Sequence, residues 1–430
     1  MLPSDITITM SYSNLSQMSF KVSDKQRKFL NMIDKTCKSL RQHEEVCYVE
    51  EKSNNEIIPK FSKIGMLGCP VSRNFGGLGY DILTYTLAME RIGEEGSSLR
   101  TFFSTHTSIG QLVLQNWGDD CQKREYLPNT CSGRNIMAFA LTEPLAGSDP
   151  SSMITKFEDK GEHFLLNGKK HWIGNGTIAN VLTTYARESG GTHHGKISAF
   201  IVDGNSRGIS KNEIKNKLGL LSIKNAEINF DNCIVPKKNI LGLRGEGLNI
   251  AYSALIDGRL SVAAGSIGVM KDCLEETIKY SKTRRQHGSS LAKKQLIQRH
   301  LSRIAINIES SRWLVYRAAV ARQILHDYVE QLKSDYSEWL LKLKRDNGLY
   351  SKLRSDADVL ATMAKLHASN SAFDSANRSV QIFGSSGYTK SSRVARHFLD
   401  SRATTIYEGT NEVLQLKIAS TILGDKFKAY

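Results

Sequence analysis

The hydrophobic period of this chain changes twice. From Asp24 to Gly133 apolar residues recur with helical spacing, as in Phe29, Met32 and Ile33 and again in Ile57, Ile58, Phe61, Ile64 and Leu67. Between Asn135 and Pro236 the pattern becomes short alternating runs rich in β-branched and aromatic residues, and after Gly247 helical spacing returns. A chain patterned this way is α+β, with a β-domain inserted between helical regions. Its 430 residues also exceed one ordinary core at about 100–200 residues per domain. The expected division is a flexible leader at 1–22, an N-terminal α-helical domain at 23–134, a middle antiparallel β-domain at 135–243 and a C-terminal four-helix bundle at 244–430.

Gly68-Cys69-Pro70 and Asn74-Phe75-Gly76-Gly77-Leu78-Gly79 interrupt the first helical region, and helices are expected at Ile82–Gly93 and Thr107–Trp117. In the middle, Asn167-Gly168 stands between two strand-like runs of His163–Trp172, which predicts a hairpin. Further strands are expected at Val181–Ala186, Ile197–Val202 and Ala226–Phe230. Long helices at Leu248–Gln286, Lys294–Val329, Asp356–Gly384 and Glu412–Leu423, separated by short breaks, predict an antiparallel bundle. A charged stretch, Glu330–Arg354, separates the second of these from the third.

No apolar run approaches the roughly 18 residues that would span a bilayer, so membrane insertion is not expected. The seven cysteines are scattered, odd in number and without CxxC spacing, which fits neither a disulfide framework nor a metal site and points to a reducing compartment, the cytoplasm. The formal charge of +15 suits an anionic partner: nucleic acid, an acidic protein or a nucleotide carrier. Between Lys279 and Arg303 there are eight Lys or Arg residues and no acidic one, which reads as a solvated helix face or as an anion site.

Three motifs carry chemistry. Phe139-Ala140-Leu141-Thr142-Glu143-Pro144-Leu145-Ala146-Gly147-Ser148-Asp149 runs from an apolar strand into a turn of small residues, where backbone NH groups and the Thr142 and Ser148 hydroxyls can approach a ligand; an ordinary strand exit is the alternative. Trp172-Ile173-Gly174 offers a ring to stack on a flat heteroaromatic group, against the alternative of a core tryptophan. Tyr407-Glu408-Gly409-Thr410 places a carboxylate beside a glycine between helices, where burial can make it a base, against the alternative of a helix cap.

In this order and on this helix–sheet–helix plan, the chain resembles the acyl-CoA dehydrogenase family over about residues 24–423. The resemblance also rests on Phe75-Gly76-Gly77-Leu78-Gly79, Asp257-Gly258-Arg259, Arg284-Arg285-Gln286-His287-Gly288 and Gln381-Ile382-Phe383-Gly384. It implies an FAD-dependent enzyme that desaturates an acyl thioester, with Glu408 as the base for the α-proton and the β-hydrogen leaving as hydride to the flavin. Relatives that carry the base elsewhere have it immediately before Arg259, where this chain has Gly258. FAD contacts are implied for Phe139, Leu141, Thr142, Ser148, Trp172, Ile173, Gly174 and Thr410. Arg284, Gln286, Gln295, Gln381 and Gly384 match positions that hold the pyrophosphate and adenosine, partly across a subunit interface, which implies a homodimer or homotetramer. Substrate contacts are implied for Ser148, Arg259, Arg100 and Gly409.

The segment around Arg100 is similar to two subgroups that handle short polar acyl groups, one of the glutaryl-CoA type and one acting on acyl carrier proteins. The partners implied are therefore an acyl-CoA or acyl carrier protein thioester and an electron acceptor, either an electron-transfer flavoprotein or oxygen. Gly174 departs from the usual Thr or Ser whose hydroxyl lies near the flavin, so an acyl-CoA oxidase is an alternative. His287, Ser385 and Leu221 depart from the pattern as well. Two readings of another class compete: a basic flavoprotein that binds nucleic acid, and a catalytically silent FAD-binding scaffold. Retention of Glu408, Arg259, Arg284 and Trp172 argues against the scaffold.

Overall fold

The computed structural model describes residues 22–191, 193–333 and 348–427. The expected leader, apart from Val22, and the greater part of Glu330–Arg354 lie outside the described residues. Helix α1 (Asp24–Val49) begins at Ser23, where the Ser23 hydroxyl and the Gln26 side chain accept each other's backbone NH, satisfying two donors that a helix start leaves free. Helices α2 (Ile57–Lys63), α3 (Ile82–Glu95), α4 (Ser97–Phe103), α5 (Leu112–Trp117) and α6 (Asp120–Cys131) follow. Between α4 and α5 the chain widens into π-helical turns at Ser104–Gln111. The helix expected at Thr107–Trp117 is therefore the end of a longer, irregular one.

The β-domain has strands β1 (Met137–Ala140), β2 (Lys156–Asp159), β3 (His163–Gly174), β4 (Val181–Glu188), β5 (Ile197–Asp203), β6 (Ile209–Glu213), β7 (Asn225–Pro236) and β8 (Ile240–Leu241). Their order is β6-β7-β3-β2-β4-β5-β8, with β1 beside β4. Most neighbours are antiparallel, as expected, but β1 and β2 both run parallel to β4, so the sheet is mixed. The predicted hairpin at Asn167-Gly168 does not form. His163–Gly174 is one strand, paired on one edge with β2 and on the other with β7, and its register against β7 shifts between Leu166 and Gly168. Gly168 has φ 146°, and a side chain there would lie 2.5 Å from Thr155 Oγ1. The glycine serves a bulge and a close approach, because pairing along both edges outweighs the local turn preference.

Helix α7 (Gly247–Thr283) is followed by a two-stranded ribbon, β9 (Arg285–Gln286) and β10 (Ser289–Ser290), then α8 (Gln295–Leu332), α9 (Leu349–Phe383), α10 (Arg393–Thr404) and α11 (Asn411–Leu423). The two helical regions share one core: Phe29, Phe61 and Phe103 pack in the same cluster as Leu260, Ile267, Ala318 and Ala368. A second core joins Phe139, Tyr185 and Ile201 of the sheet to Trp117 of α5 and Ile250 and Ala254 of α7. Helix α7 thus belongs to both, and the seam between sheet and helices runs along it. Among the described residues no helix is long and apolar enough to cross a membrane. All seven cysteines are free.

Candidate active site

A cavity of about 620 Å³ opens at that seam. The N-terminal helices contribute Arg100, Ser104 and Thr105 to its wall; the β-domain contributes Phe139, Leu141, Thr142, Ser148, Trp172, Ile173 and Gly174; the C-terminal helices contribute Arg259, Glu408 and Gly409. Three stretches far apart in sequence therefore meet at one place.

Glu408 lies in the short loop from α10 to α11. It has φ 58° and is followed by Gly409 at φ 90°, a left-handed pair that costs a non-glycine residue about 1–2 kcal/mol. Two cations hold it. Arg259 Nε donates to the Glu408 carbonyl at 3.1 Å, and Lys365 Nζ donates to the Gly409 carbonyl at 2.7 Å and to Asn411 Oδ1 at 2.9 Å. Arg259 is itself fixed by Asp358 at 2.7 Å. The carboxylate does not share in these contacts: Oε2 is buried without a hydrogen-bond partner among the described residues. Burial pushes the Glu408 carboxyl up to about 7, while Arg259, Arg100 and Lys365 draw it back. A buried carboxyl that titrates near neutrality and faces a cavity is suited to take a proton.

Arg100 is 1% exposed. Its Nη2 donates to the Tyr407 hydroxyl and its guanidinium lies 5.5 Å from the Tyr407 ring centre. The aliphatic stem runs over Gly265 of α7, where a β-carbon would lie 2.7 Å from Arg100 Cγ. Arg100 forms no ion pair among the described residues. Arg100, for which a substrate contact is implied by the resemblance, thus stands as a buried guanidinium on the cavity wall.

On the sheet side, Lys170 Nζ donates to Glu143 Oε1 at 2.8 Å and to the Leu141 carbonyl at 3.1 Å, and the Glu143 carboxylate also accepts from the Ile154 and Thr155 amides. This buried pair sets the course of the loop that carries Leu141, Thr142 and Ser148. Trp172 has φ 59° and is 53% exposed, so a large part of its ring is free to face a ligand. A β-carbon on Gly174 would lie 2.8 Å from Thr105 Oγ1, so this strand end has room only because it has no side chain.

The remaining expected residues stand elsewhere. Thr410 does not line the cavity; its hydroxyl caps α11 by accepting from the Val413 amide at 3.3 Å. Arg284, Gln286, Gln295, Gln381 and Gly384 are exposed. The ends of α7 and α9 are held together by stacking of Tyr280 on Phe383, with ring centres 4.2 Å apart, and by the Tyr280 hydroxyl donating to the Phe383 carbonyl. Sequence reasoning missed Lys365 and Asp358, and it gave Tyr407, inside the Tyr407–Thr410 motif, and Thr105 no role of their own. Lys365 and Asp358 sit at i and i−7 on α9, and that shared helix face was the one signal available.

Three family models match the chain: acyl-CoA dehydrogenase N-terminal domain over residues 23–134, middle domain over 138–233, and C-terminal domain over 245–330 and 346–423. An acyl-CoA dehydrogenase of Bacillus subtilis (strain 168) is 37% identical over 369 residues, 86% of this chain and 90% of that protein. The solved glutaryl-CoA dehydrogenase from Mycobacterium smegmatis in complex with FADH2 superposes with a TM-score of 0.81 at 26% identity, covering 95% of this chain and 96% of the other. A prolyl acyl carrier protein oxidase superposes with a TM-score of 0.82 at 27% identity, covering 94% and 100%. The chain belongs to the acyl-CoA dehydrogenase family, FAD-dependent oxidoreductases that act on CH–CH bonds.

Proposed function

We propose that the protein oxidises the Cα–Cβ bond of a short acyl thioester whose far end carries a carboxylate or another hydrogen-bond acceptor. One observation carries this reading: among the described residues the cavity holds both a carboxylate oxygen without a hydrogen-bond partner, on Glu408, and a buried guanidinium without an ion pair, on Arg100. Glu408 takes the α-proton. Arg100 meets the polar end of the acyl group through charge-assisted hydrogen bonds. Arg259 and Lys365 hold the Glu408–Gly409 backbone so that the carboxylate stays aimed at the cavity and the Gly409 NH is fixed beside it.

FAD, when bound, supplies the acceptor for the β-hydride. The residues present suit it: Trp172 offers an open ring for the isoalloxazine, and the Phe139–Thr142 strand end with Ser148 offers backbone and hydroxyl groups beside that ring. Arg284, Gln286, Gln295, Gln381 and Gly384 are too exposed to serve a ligand in this cavity alone. They suit the diphosphate and adenosine of a cofactor shared with a second copy of the chain, so the working form is a homodimer or homotetramer.

The thioester is carried by CoA or by an acyl carrier protein. Both are anionic and both suit a chain of charge +15. Likeness to a glutaryl-CoA dehydrogenase and to a prolyl acyl carrier protein oxidase supports the polar acyl end and leaves an electron-transfer flavoprotein and oxygen as the two acceptors to compare. The test is a matched pair of thioesters of equal length, one ending in a carboxylate and one in a methyl group. Wild type favours the carboxylate in kcat/KM, and Arg100→Met loses about 10–100-fold of that preference. An unchanged preference in Arg100→Met rejects the reading.

A further inference from the structure

We propose that Thr105 is a flavin-contacting residue, whose hydroxyl supplies from the N-terminal helices the hydrogen bond at the ring edge that β3, ending in Gly174, has no side chain to make. The inference rests on the reading that the FAD ring lies along Trp172.

The geometry of two adjacent anchors carries it. Asn175 Nδ2, one residue beyond Gly174, donates to the Phe102 carbonyl at 3.0 Å and to the Met137 carbonyl at 3.4 Å, fastening the end of β3 to the end of α4. His106, one residue beyond Thr105, accepts from the Met137 amide through Nδ1 at 3.1 Å and therefore donates from Nε2 to the Thr130 carbonyl at 3.1 Å. Between these ties Thr105 and Gly174 are pressed together. A β-carbon at 174 would lie 2.8 Å from Thr105 Oγ1, closer than van der Waals contact allows. A side chain on Gly174 and the Thr105 hydroxyl cannot both occupy this space, so the hydroxyl has the place to itself.

That hydroxyl makes no hydrogen bond among the described residues, and Thr105 lines the same cavity wall as Trp172, Ile173 and Gly174. The π-helical turns of Ser104–Gln111 place it there; π-turns inside helices recur at functional positions. An isoalloxazine edge presents carbonyl and ring-nitrogen acceptors, and a hydroxyl in this place donates to one of them. Because Trp172 belongs to the sheet and Thr105 to the helices, the contact joins the two sides of the seam through the cofactor.

The experiment uses the FAD-loaded enzyme and reads flavin content, visible spectrum and midpoint potential by dye titration. Thr105→Ala is expected to keep FAD, shift the visible bands and lower the potential by about tenfold in the reduction equilibrium, or about 30 mV for a two-electron couple. Thr105→Ser restores both readouts. Gly174→Ser alone loses flavin or thermal stability through the clash, whereas Thr105→Ala with Gly174→Ser regains the wild-type potential, the hydroxyl now coming from the strand. If Thr105→Ala fails to hold flavin, recovery of flavin and potential in Thr105→Ser supports the proposal and failure of Thr105→Ser overturns it. An unchanged spectrum and potential in flavin-replete Thr105→Ala also overturns it. Failure of the wild-type chain to bind FAD overturns the underlying placement instead.

Discussion

Gly258 of α7 lies directly against the Glu408 carboxylate: a β-carbon there would stand 2.4 Å from Glu408 Oε2 and 2.5 Å from Oε1. The position immediately before Arg259 and the position of Glu408 therefore address the same space, and only one of them can carry a side chain into it. Gly258→Ala is expected to push the carboxylate off its aim while leaving the sheet side of the cavity intact. A displacement of about 1 Å at a reacting group can cost about 10²-fold in rate. Steady-state kinetics with flavin content measured in parallel should show that loss in kcat at full FAD occupancy; an unimpaired kcat contradicts the placement of Glu408.

The pH dependence follows from the sign of the shift at Glu408. Burial raises this carboxyl to about 7, and a proposed base at this position works only when ionised, so kcat/KM is expected to rise with pH and level off above about 7. Lys365, lowered to about 7 chiefly by burial, is one of the cations that favour the ionised form of Glu408. Lys365→Met should move the rising limb to higher pH. Profiles of kcat/KM for both proteins check this, and coincident profiles would remove Lys365 from the account.

Lys170 and Glu143 form a pair in which both side chains are at most 1% exposed. Burial would raise the Glu143 carboxyl, but Lys170 and the Thr155 and Ile154 donors hold it below the usual range. Lys170→Met leaves that carboxylate buried without its cation, which should cost about 3–5 kcal/mol of stability. Urea unfolding measures it, and adding Glu143→Gln should recover part of the loss. A change within about 1 kcal/mol contradicts the structural role assigned to the pair.

The parts of the site that local sequence specifies were legible. Glu408-Gly409, Trp172-Ile173-Gly174 and Phe139–Thr142 are contiguous segments in which glycine, an aromatic ring or a strand exit constrains the backbone over a few residues, and all of them line one cavity. Lys365 was not legible, because a lysine inside a long helix reads as a solvent-facing residue until the helix is packed against the Glu408 loop. Arg100 had the same ambiguity, settled only by Tyr407 and Gly265 from elsewhere in the chain. Asn167-Gly168 misled for the opposite reason: its local signal for a turn is strong, and β2 and β7 on either edge override it. The β1–β4 and β2–β4 parallel pairings link strands separated by other strands in sequence, and alternation within a strand carries no information about which neighbour it takes.

Glu408 is proposed to remove the α-proton of an acyl thioester in a cavity that also binds FAD. That role is tested most directly by the anaerobic visible spectrum of wild type and Glu408→Gln, each loaded with FAD, during titration with acyl thioesters on CoA and on an acyl carrier protein. One carrier form is expected to bleach the wild-type flavin, and Glu408→Gln is expected to bind FAD equally but to be reduced about 10²–10⁴-fold more slowly. Bleaching of Glu408→Gln at the wild-type rate would contradict that role.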